Sequence, residues 1–176
     1  MSGDETLVSN LPGLCAEVGE RLRGIGGRLV TVESCTGGGI AWFLTSIAGS
    51  SDWFDRALVT YSNQAKSELA GVPMGLIDRA GAVSEETAYA MAEGGLADPL
   101  ATHALSVTGI AGPGGGSPEK PVGMVCFAWA VAEPMQPDGG LGHAIRTDTQ
   151  YFAGDRHEIR MATIAHALGR LRDLLL

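Results

Sequence analysis

The chain has 176 residues, 45% of them hydrophobic, and a formal net charge of −8, which fits one domain spanning residues 1–176. The negative charge argues against a nucleic-acid or anionic-membrane surface, and no apolar run reaches the roughly 18 residues that a membrane helix needs. Three widely spaced cysteines, and an N-terminus unlike a signal peptide, predict a cytoplasmic protein without disulfides.

Helical and strand patterns alternate along the chain, and this alternation predicts an α/β fold. Strands are predicted at residues 28–33, 56–61, 105–108, 122–132 and 143–152. Helices are predicted at residues 11–25, 40–48, 63–71, 74–81, 85–96 and 155–175, with a helical turn at 53–54 and a hairpin loop at 133–142. The second strand reads as buried, the fourth as central and the fifth as antiparallel. These elements predict a three-layer α/β/α sandwich with a mixed, mostly parallel sheet that includes an antiparallel strand.

The first chemical motif joins the first strand to the next helix and spans residues 33–39: a glutamate, a serine, a cysteine, a threonine and three glycines. Open α/β sheets bind ligands at this end of their strands, and the N–H groups at a helix N-terminus favour negative charge. Ser34 could therefore be a nucleophile, or simply the cap of a glycine-rich turn. The flanking glycines of a G-x-S-x-G nucleophile elbow are absent.

A second motif follows the next strand, where Tyr61 ends the strand and Lys66 lies about one turn into a helix. Both side chains can face the same crevice as Ser34. A serine nucleophile needs a base, and a neutral lysine supplies one when burial lowers its pKa. Only two of the twelve basic residues are lysines, Lys66 and Lys120, and lysine can act as a base where arginine cannot. The alternative is that Lys66 is an ordinary helix lysine whose side chain is solvated.

Residues 109–121 form a loop rich in glycine and proline, which is unusual inside a compact domain unless it binds a ligand or forms a lid. It matches neither a P-loop nor a dinucleotide fingerprint. Thr108 at its mouth and consecutive backbone N–H groups could hold a phosphate or carboxylate. Ser117 and Lys120 have S-x-x-K spacing, but adjacent prolines leave little room for the helix that such a catalytic pair requires.

Arginines near the last helix are candidate phosphate ligands. Arg156 and Arg160 are four residues apart, and Arg146 lies on the preceding strand. Solvated faces and salt bridges are the commoner uses of such arginines. The four histidines have no metal-ligand spacing, so no metal site is predicted.

Taken in order, these motifs resemble the CinA C-terminal domain family, which includes stand-alone nicotinamide-nucleotide amidases (NMN deamidases of the PncC type). The resemblance extends from about residue 14 to residue 171. It rests on ESCTGG from Glu33, VTYSN from Val59 with Lys66, GAVS from Gly81, GIAGP from Gly109 with KPVG from Lys120, and GDR from Gly154.

The resemblance implies hydrolysis of nicotinamide mononucleotide to nicotinate mononucleotide and ammonia, a step of pyridine-nucleotide salvage, by a homodimer without metal or cofactor. Ser34 matches the nucleophile, Lys66 the base and Tyr61 the hydroxyl that assists them. N–H groups at the start of the helix after Ser34 are expected to stabilise the oxyanion. The expected substrate-binding residues are Cys35, Thr36, Gly37, Thr108, Gly109, Gly112, Gly115, Arg146 and Arg156.

Two alternatives stay open. The chain could be a non-catalytic ligand- or protein-binding regulatory domain, because relatives are associated with competence and DNA-damage responses. It could also be an enzyme that uses Cys35 as its nucleophile. The presence of Ser34, Tyr61 and Lys66 together favours the serine amidase.

Overall fold

The computed structural model describes residues 8–133 and 142–175, which contain a five-stranded sheet with helices on both faces. The strands are β1 (Leu29–Glu33), β2 (Phe54–Val59), β3 (His103–Gly109), β4 (Met124–Ala132) and β5 (His143–Tyr151). The helices are α1 (Leu11–Ile25), α2 (Gly39–Thr45), α3 (Asn63–Ala70), α4 (Met74–Ala80), α5 (Glu85–Gly95) and α6 (Arg156–Leu174), with a 3₁₀ turn at Ser50–Asp52. The predicted hairpin loop at 133–142 lies, apart from its two end residues, outside the described residues.

The sheet has the order β2-β1-β3-β4-β5. β1 pairs in parallel with β2 and β3, whereas β4 is antiparallel to both β3 and β5. Four strands therefore run in one direction and only β4 runs in the other, which confirms the mixed, mostly parallel sheet. The register sets Glu33 of β1 beside Val59 of β2 and Val107 of β3, so the residues that follow these three strands gather at one edge.

Hydrophobic residues are buried on both faces of the sheet, in one cluster on the face of α1, α2 and α6 and in two clusters on the face of α3, α4 and α5. Alternate residues of a strand point to opposite faces, so Leu29 packs with α1, α2 and α6, whereas Val30 and Val32 pack with α3, α4 and α5. The three-layer α/β/α sandwich predicted from the sequence is confirmed. No helix in the described ranges is both long and apolar enough to cross a membrane.

The prediction of a buried strand at residues 56–61 was wrong in position and in burial. The strand is β2, which begins at Phe54, and the preceding helical turn is the 3₁₀ turn at Ser50–Asp52 rather than residues 53–54. β2 pairs only with β1 in the described sheet, so it is an edge strand and most of its side chains are half-buried. An apolar sequence at a sheet edge is easily mistaken for a central strand, because helices can still cover one of its faces.

Serine and aspartate side chains cap three of the helices. Ser62 caps α3 by accepting from the Ala65 amide, and Ser84 caps α5 by accepting from the Thr87 amide. Asp155 caps α6 and forms a capping box with Glu158. Asn10 stands at the N-cap of α1 but makes no side-chain cap hydrogen bond.

Close packing of α5 on α3 generates the first prediction. A Cβ added at Gly94, the penultimate residue of α5, would overlap the carbonyl group of Ala70 in α3. We expect Gly94→Ala to lower the free energy of unfolding by about 1–3 kcal/mol, because the two helices would have to separate. Urea denaturation followed by circular dichroism measures this loss.

Gly24 provides the matched control, because it is the penultimate residue of α1 and no atom lies within 4 Å of its built Cβ. Gly24→Ala should leave the free energy of unfolding unchanged or raise it by about 0.5–1 kcal/mol. Similar destabilisation by both substitutions would contradict the close approach of α5 to α3.

Candidate active site

A serine–lysine pair lies at the edge of the sheet where β1 and β2 end. Ser34 directly follows β1, and Lys66 lies in the first turns of α3, which follows β2. Lys66 Nζ is 2.9 Å from Ser34 Oγ. The lysine is 1% exposed and the serine 8% exposed, so the pair is almost completely removed from bulk water. The structure brings together the two residues that the sequence predicts as nucleophile and base.

The surroundings of Lys66 favour the neutral amine. Its Nζ has one further polar partner, the Thr60 carbonyl oxygen at 2.9 Å, and it forms no ion pair within the described part of the chain. Burial lowers the pKa of the Lys66 ammonium. A Cys35 thiolate would oppose this shift, but burial raises the pKa of the Cys35 thiol to about 12, so Cys35 is uncharged at neutral pH.

The turn that carries Ser34 is fixed by backbone contacts and by glycine. The Ser34 amide donates to the Val107 carbonyl at 3.0 Å, and the Gly37 amide donates to the Ser34 carbonyl at 3.0 Å. Gly37 and Gly38 have φ angles of +59° and +89°, a left-handed conformation that residues with a side chain rarely adopt. The glycines therefore let the chain reverse tightly between Ser34 and α2.

Glu33 changes the expected source of oxyanion stabilisation. Its buried carboxylate accepts from the amides of Ile40 and Ala41, at 3.0 and 2.8 Å, so these N–H groups in the first turn of α2 are already bonded. The amides of Cys35, Thr36 and Gly38 donate to no other described residue. The groups available to a developing negative charge beside Ser34 therefore lie in the turn itself.

Tyr61, Arg156 and Gly112 form the rim of the site. Arg156 donates through Nη1 to the Gly112 carbonyl at 2.7 Å and through Nη2 to Tyr61 Oη at 2.8 Å. Tyr61 is 58% exposed, and its hydroxyl contacts neither Ser34 nor Lys66. The structure thus brings three of the predicted residues together, but it places Tyr61 at the mouth and not within hydrogen-bond distance of the buried pair.

Arg160 belongs to this region although the sequence does not single it out above Arg156. Its Nη2 donates to the Thr36 carbonyl at 2.7 Å, and its buried Nε has no hydrogen-bond partner among the described residues. It lines a cavity of about 490 Å³ together with Arg156, Ala111 and Pro113; neither Ser34 nor Lys66 lines this cavity, so the hydrogen bond to Thr36 is what connects Arg160 to the pair. Its spacing of four residues from Arg156 is the signal that made it a candidate phosphate ligand in the sequence, because residues i and i+4 share a helix face.

Two of the expected substrate-binding residues, Thr108 and Gly109, are engaged in contacts within the fold. The buried Thr108 donates to the Ala82 carbonyl at 2.7 Å, and a Cβ at Gly109 would lie 2.7 Å from a methyl group of Val125. Lys120 donates to the Ala80 and Val83 carbonyls at 2.6 and 2.7 Å, which attaches the loop of residues 109–121 to the turn before α5.

Cys35, Thr36 and Gly115 can offer a ligand only their backbone groups. The side chains of Cys35 and Thr36 are buried, so only the backbone of these residues can face a ligand. Gly115 lies in the exposed part of the same loop and has a φ angle of +86°.

Arg146 is not brought to the site. It lies on β5 opposite Trp129 and lines a separate cavity of about 640 Å³ with Asp148 and His166.

A still larger cavity of about 920 Å³ is lined by Leu76, Tyr89 and others but by neither Ser34 nor Lys66. We place the candidate site at the buried pair, because the chemistry needs those groups and cavity size alone does not supply them. Residues 8–133 and 142–175 contain no group of three His, Cys, Asp or Glu arranged to hold a metal.

Comparison with known proteins connects this geometry to a family. The sequence matches the CinA C-terminal domain family over residues 13–175. It is 46% identical over 163 residues to the nicotinamide-nucleotide amidohydrolase PncC of Escherichia coli K12, covering 93% of each chain. It is 44% identical over 161 residues to the protein of the same name from Pseudomonas putida, covering 92% of this chain and 94% of that one.

Solved structures with the same fold include the competence/damage inducible protein CihA from Agrobacterium tumefaciens. It has a TM-score of 0.81 and 43% identity, covering 94% of this chain and 95% of that one. The competence damage-inducible protein A from Klebsiella pneumoniae has a TM-score of 0.84 and 35% identity, covering 93% of this chain and 96% of that one.

The lowered pKa of Lys66 predicts how stability depends on pH. Between this lowered pKa and about 10.4, the unfolded chain binds more protons than the folded one, so this lysine's contribution to stability rises with pH. Lys66→Met removes the free-energy cost of burying a lysine that is protonated in the unfolded chain. We expect the variant to be more stable than the parent at pH 7, by a margin that narrows as the pH approaches 10. Thermal unfolding across this pH range measures the margin.

Lys120→Met is the control, because Lys120 is the only other lysine and donates to two carbonyl groups. Its replacement should lower the melting temperature at both ends of the pH range. A destabilised Lys66→Met protein at pH 7 would contradict the unfavourable burial of the Lys66 charge.

Proposed function

Because the chain belongs to the CinA C-terminal domain family, we propose that it hydrolyses the carboxamide of nicotinamide mononucleotide, releasing nicotinate mononucleotide and ammonia. Relatives named as amidohydrolases align with more than 90% of the chain at 44% and 46% identity, which places the chain in the amidohydrolase class. The observation that carries the mechanism is the 2.9 Å contact between Lys66 Nζ and Ser34 Oγ in a buried site.

In the first half of the proposed reaction, Ser34 Oγ attacks the carboxamide carbon while neutral Lys66 accepts the hydroxyl proton. The carbonyl oxygen becomes an oxyanion, and the amides of Cys35, Thr36 and Gly38, which have no partner among the described residues, are the donors nearest in the chain. One such donor is typically worth about 3–4 kcal/mol of transition-state stabilisation. The Lys66 ammonium then returns the proton to the departing nitrogen, which leaves as ammonia.

In the second half, water attacks the acyl ester on Ser34. Lys66 accepts a proton from this water and gives it to Ser34 Oγ as the ester bond breaks. The net change is amide plus water to carboxylic acid plus ammonia, so the residues of the pair end in their starting state. The contact of Lys66 with the Thr60 carbonyl holds the amine in place through both halves.

Arginine side chains at the rim fit the anionic part of the proposed substrate. The chain carries a net charge of −8, so a phosphate needs a local group of cations. Arg156 and Arg160 share one cavity and reach the two walls of the site, the loop at Gly112 and the turn at Thr36. We assign the phosphate to this pair and leave out Arg146, which faces another cavity. Tyr61 then assists by holding Arg156 at the mouth.

The cytoplasmic location and the oligomeric state of the enzyme are also proposals. Cys15, Cys35 and Cys126 are all free thiols, which fits a reducing cytoplasm where pyridine nucleotides are salvaged. The homodimer implied by the family resemblance belongs to the same proposal. A non-catalytic regulatory domain is the competing function, and the buried, correctly spaced Ser34 and Lys66 favour catalysis over it.

Ammonia release from nicotinamide mononucleotide tests the function directly. We expect the purified protein to produce ammonia, Ser34→Ala to lose this activity, and Lys66→Ala to lower kcat by about 10²–10⁴-fold, because a general base contributes that much. Lys120→Met, which removes the lysine outside the pair, should keep kcat near that of the parent, and any effect should fall on KM because Lys120 holds the loop of residues 109–121. Full activity in both Ser34→Ala and Lys66→Ala would rule out the pair, and binding of the nucleotide without turnover would favour the regulatory alternative.

Cys35→Ser tests whether the cysteine is the nucleophile. Because burial raises the pKa of Cys35 to about 12, the thiolate is scarce at neutral pH and its side chain is not required in the proposed mechanism. We expect kcat for the variant to stay within about threefold of the parent, since a buried, uncharged thiol takes no part in the proposed chemistry. A loss comparable to that of Ser34→Ala would assign the attack to the thiol.

A further inference from the structure

We propose that Glu33 is a positioning residue that fixes Ser34 and Lys66 relative to each other. The proposal rests on the role of Ser34 as nucleophile. Glu33 is the last residue of β1 and is completely buried, a position where a charged side chain is seldom found without a specific set of partners. It contacts neither Ser34 Oγ nor Lys66 Nζ, so it acts through other groups.

The Glu33 carboxylate joins three parts of the structure around the nucleophile. Oε2 accepts from the Thr36 hydroxyl at 2.7 Å and from the Ile40 amide at 3.0 Å. Oε1 accepts from the Ala41 amide at 2.8 Å and from the Thr31 hydroxyl at 3.2 Å. The carboxylate thereby ties the strand before Ser34, the turn after it and the first turn of α2 to one point.

The backbone of Glu33 connects the same point to the base. Its carbonyl accepts from the Thr60 amide at 2.8 Å, and the Thr60 carbonyl in turn accepts from Lys66 Nζ at 2.9 Å. The side chain of Glu33 therefore sets the turn that carries the nucleophile, while its carbonyl sets the residue that holds the amine. A shift of Glu33 would therefore displace both halves of the pair.

Four hydrogen-bond donors contact the Glu33 carboxylate, and a side chain at this position must accept from all four. An ionised carboxyl group has two oxygens that both accept, whereas a glutamine side chain has one accepting oxygen and one donating NH₂ group. Glutamine would direct an N–H group at a backbone N–H group that is buried. Aspartate is shorter by one methylene and could not reach Thr36 and α2 together.

Glu33→Gln tests the proposal. We expect kcat for ammonia release to fall by about 100-fold, because a displacement near 1 Å has that effect on an aligned nucleophile. KM should change little, since no substrate contact is removed. The rate should still rise through the same pH midpoint, because Lys66 remains the base. A folded variant with unchanged kcat would overturn the proposal, and so would a displaced midpoint, which would mean that Glu33 acts by its charge on Lys66.

Two threonines provide a matched pair in case Glu33→Gln does not fold. Thr36→Val and Thr31→Val each remove one hydroxyl donor from the same carboxylate, and both side chains are fully buried and beyond the reach of substrate. Only Thr36 lies on the nucleophile turn. We expect Thr36→Val to lower kcat by about tenfold and Thr31→Val to stay near the parent, because the longer bond of Thr31 holds only the strand. Equal effects would overturn the proposal.

A second readout separates this proposal from the proposed function. Phenylmethanesulfonyl fluoride reacts at serine by forming an S–O bond and releasing fluoride, and mass spectrometry of the intact protein measures the rate. Slower labelling of Ser34 in Glu33→Gln and Thr36→Val would support positioning even if the parent released no ammonia from nicotinamide mononucleotide. A parent that releases ammonia, with variants equally active and equally labelled, would overturn the positioning role and leave the function standing.

Discussion

The burial of one amine beside one hydroxyl is the constraint on which the site depends. Lys66 lies under the surface with only Ser34 Oγ and the Thr60 carbonyl as polar partners in the described chain. A carboxylate in contact with it would have favoured the ammonium and removed the base. The fold meets this requirement by ending two neighbouring parallel strands at the same edge, one leading to the serine and the other to the helix that carries the lysine.

The polar groups around this pair are of two kinds: some are hydrogen-bonded within the fold and hold the pair in place, and others are donors without a partner in the described residues. Glu33 bonds the amides at the start of α2, and Thr108 and Lys120 bond the carbonyls of the turn before α5. The amides of Cys35, Thr36 and Gly38 and the Nε of Arg160 have no partner in the described residues. Charge stabilisation by preorganised dipoles needs this division, because a donor that is already bonded cannot meet an oxyanion.

Sequence periodicity was enough to predict most of the fold, including the layers and the mixed sheet. It failed at β2, because the hydrophobicity of a strand does not reveal whether a second neighbour pairs with it. Ser34 and Lys66 were predictable because Ser34 directly follows β1 and Lys66 lies in the first turns of the helix that follows β2. The partners of Tyr61, Arg146 and Glu33 were not, since they depend on side-chain direction and on which helix packs above the sheet, and neither leaves a local pattern.

The attachment of the glycine-rich loop has a thermodynamic consequence. Glycine and proline suggest a flexible segment, yet Lys120 ties residues 109–121 to the turn before α5 and Arg156 ties Gly112 to α6. A loop that is ordered before a ligand arrives has already lost most of its conformational entropy during folding. Ligand binding to its backbone amides then carries a smaller entropic penalty. A few weak contacts to glycine residues are therefore enough to give measurable affinity for the ligand.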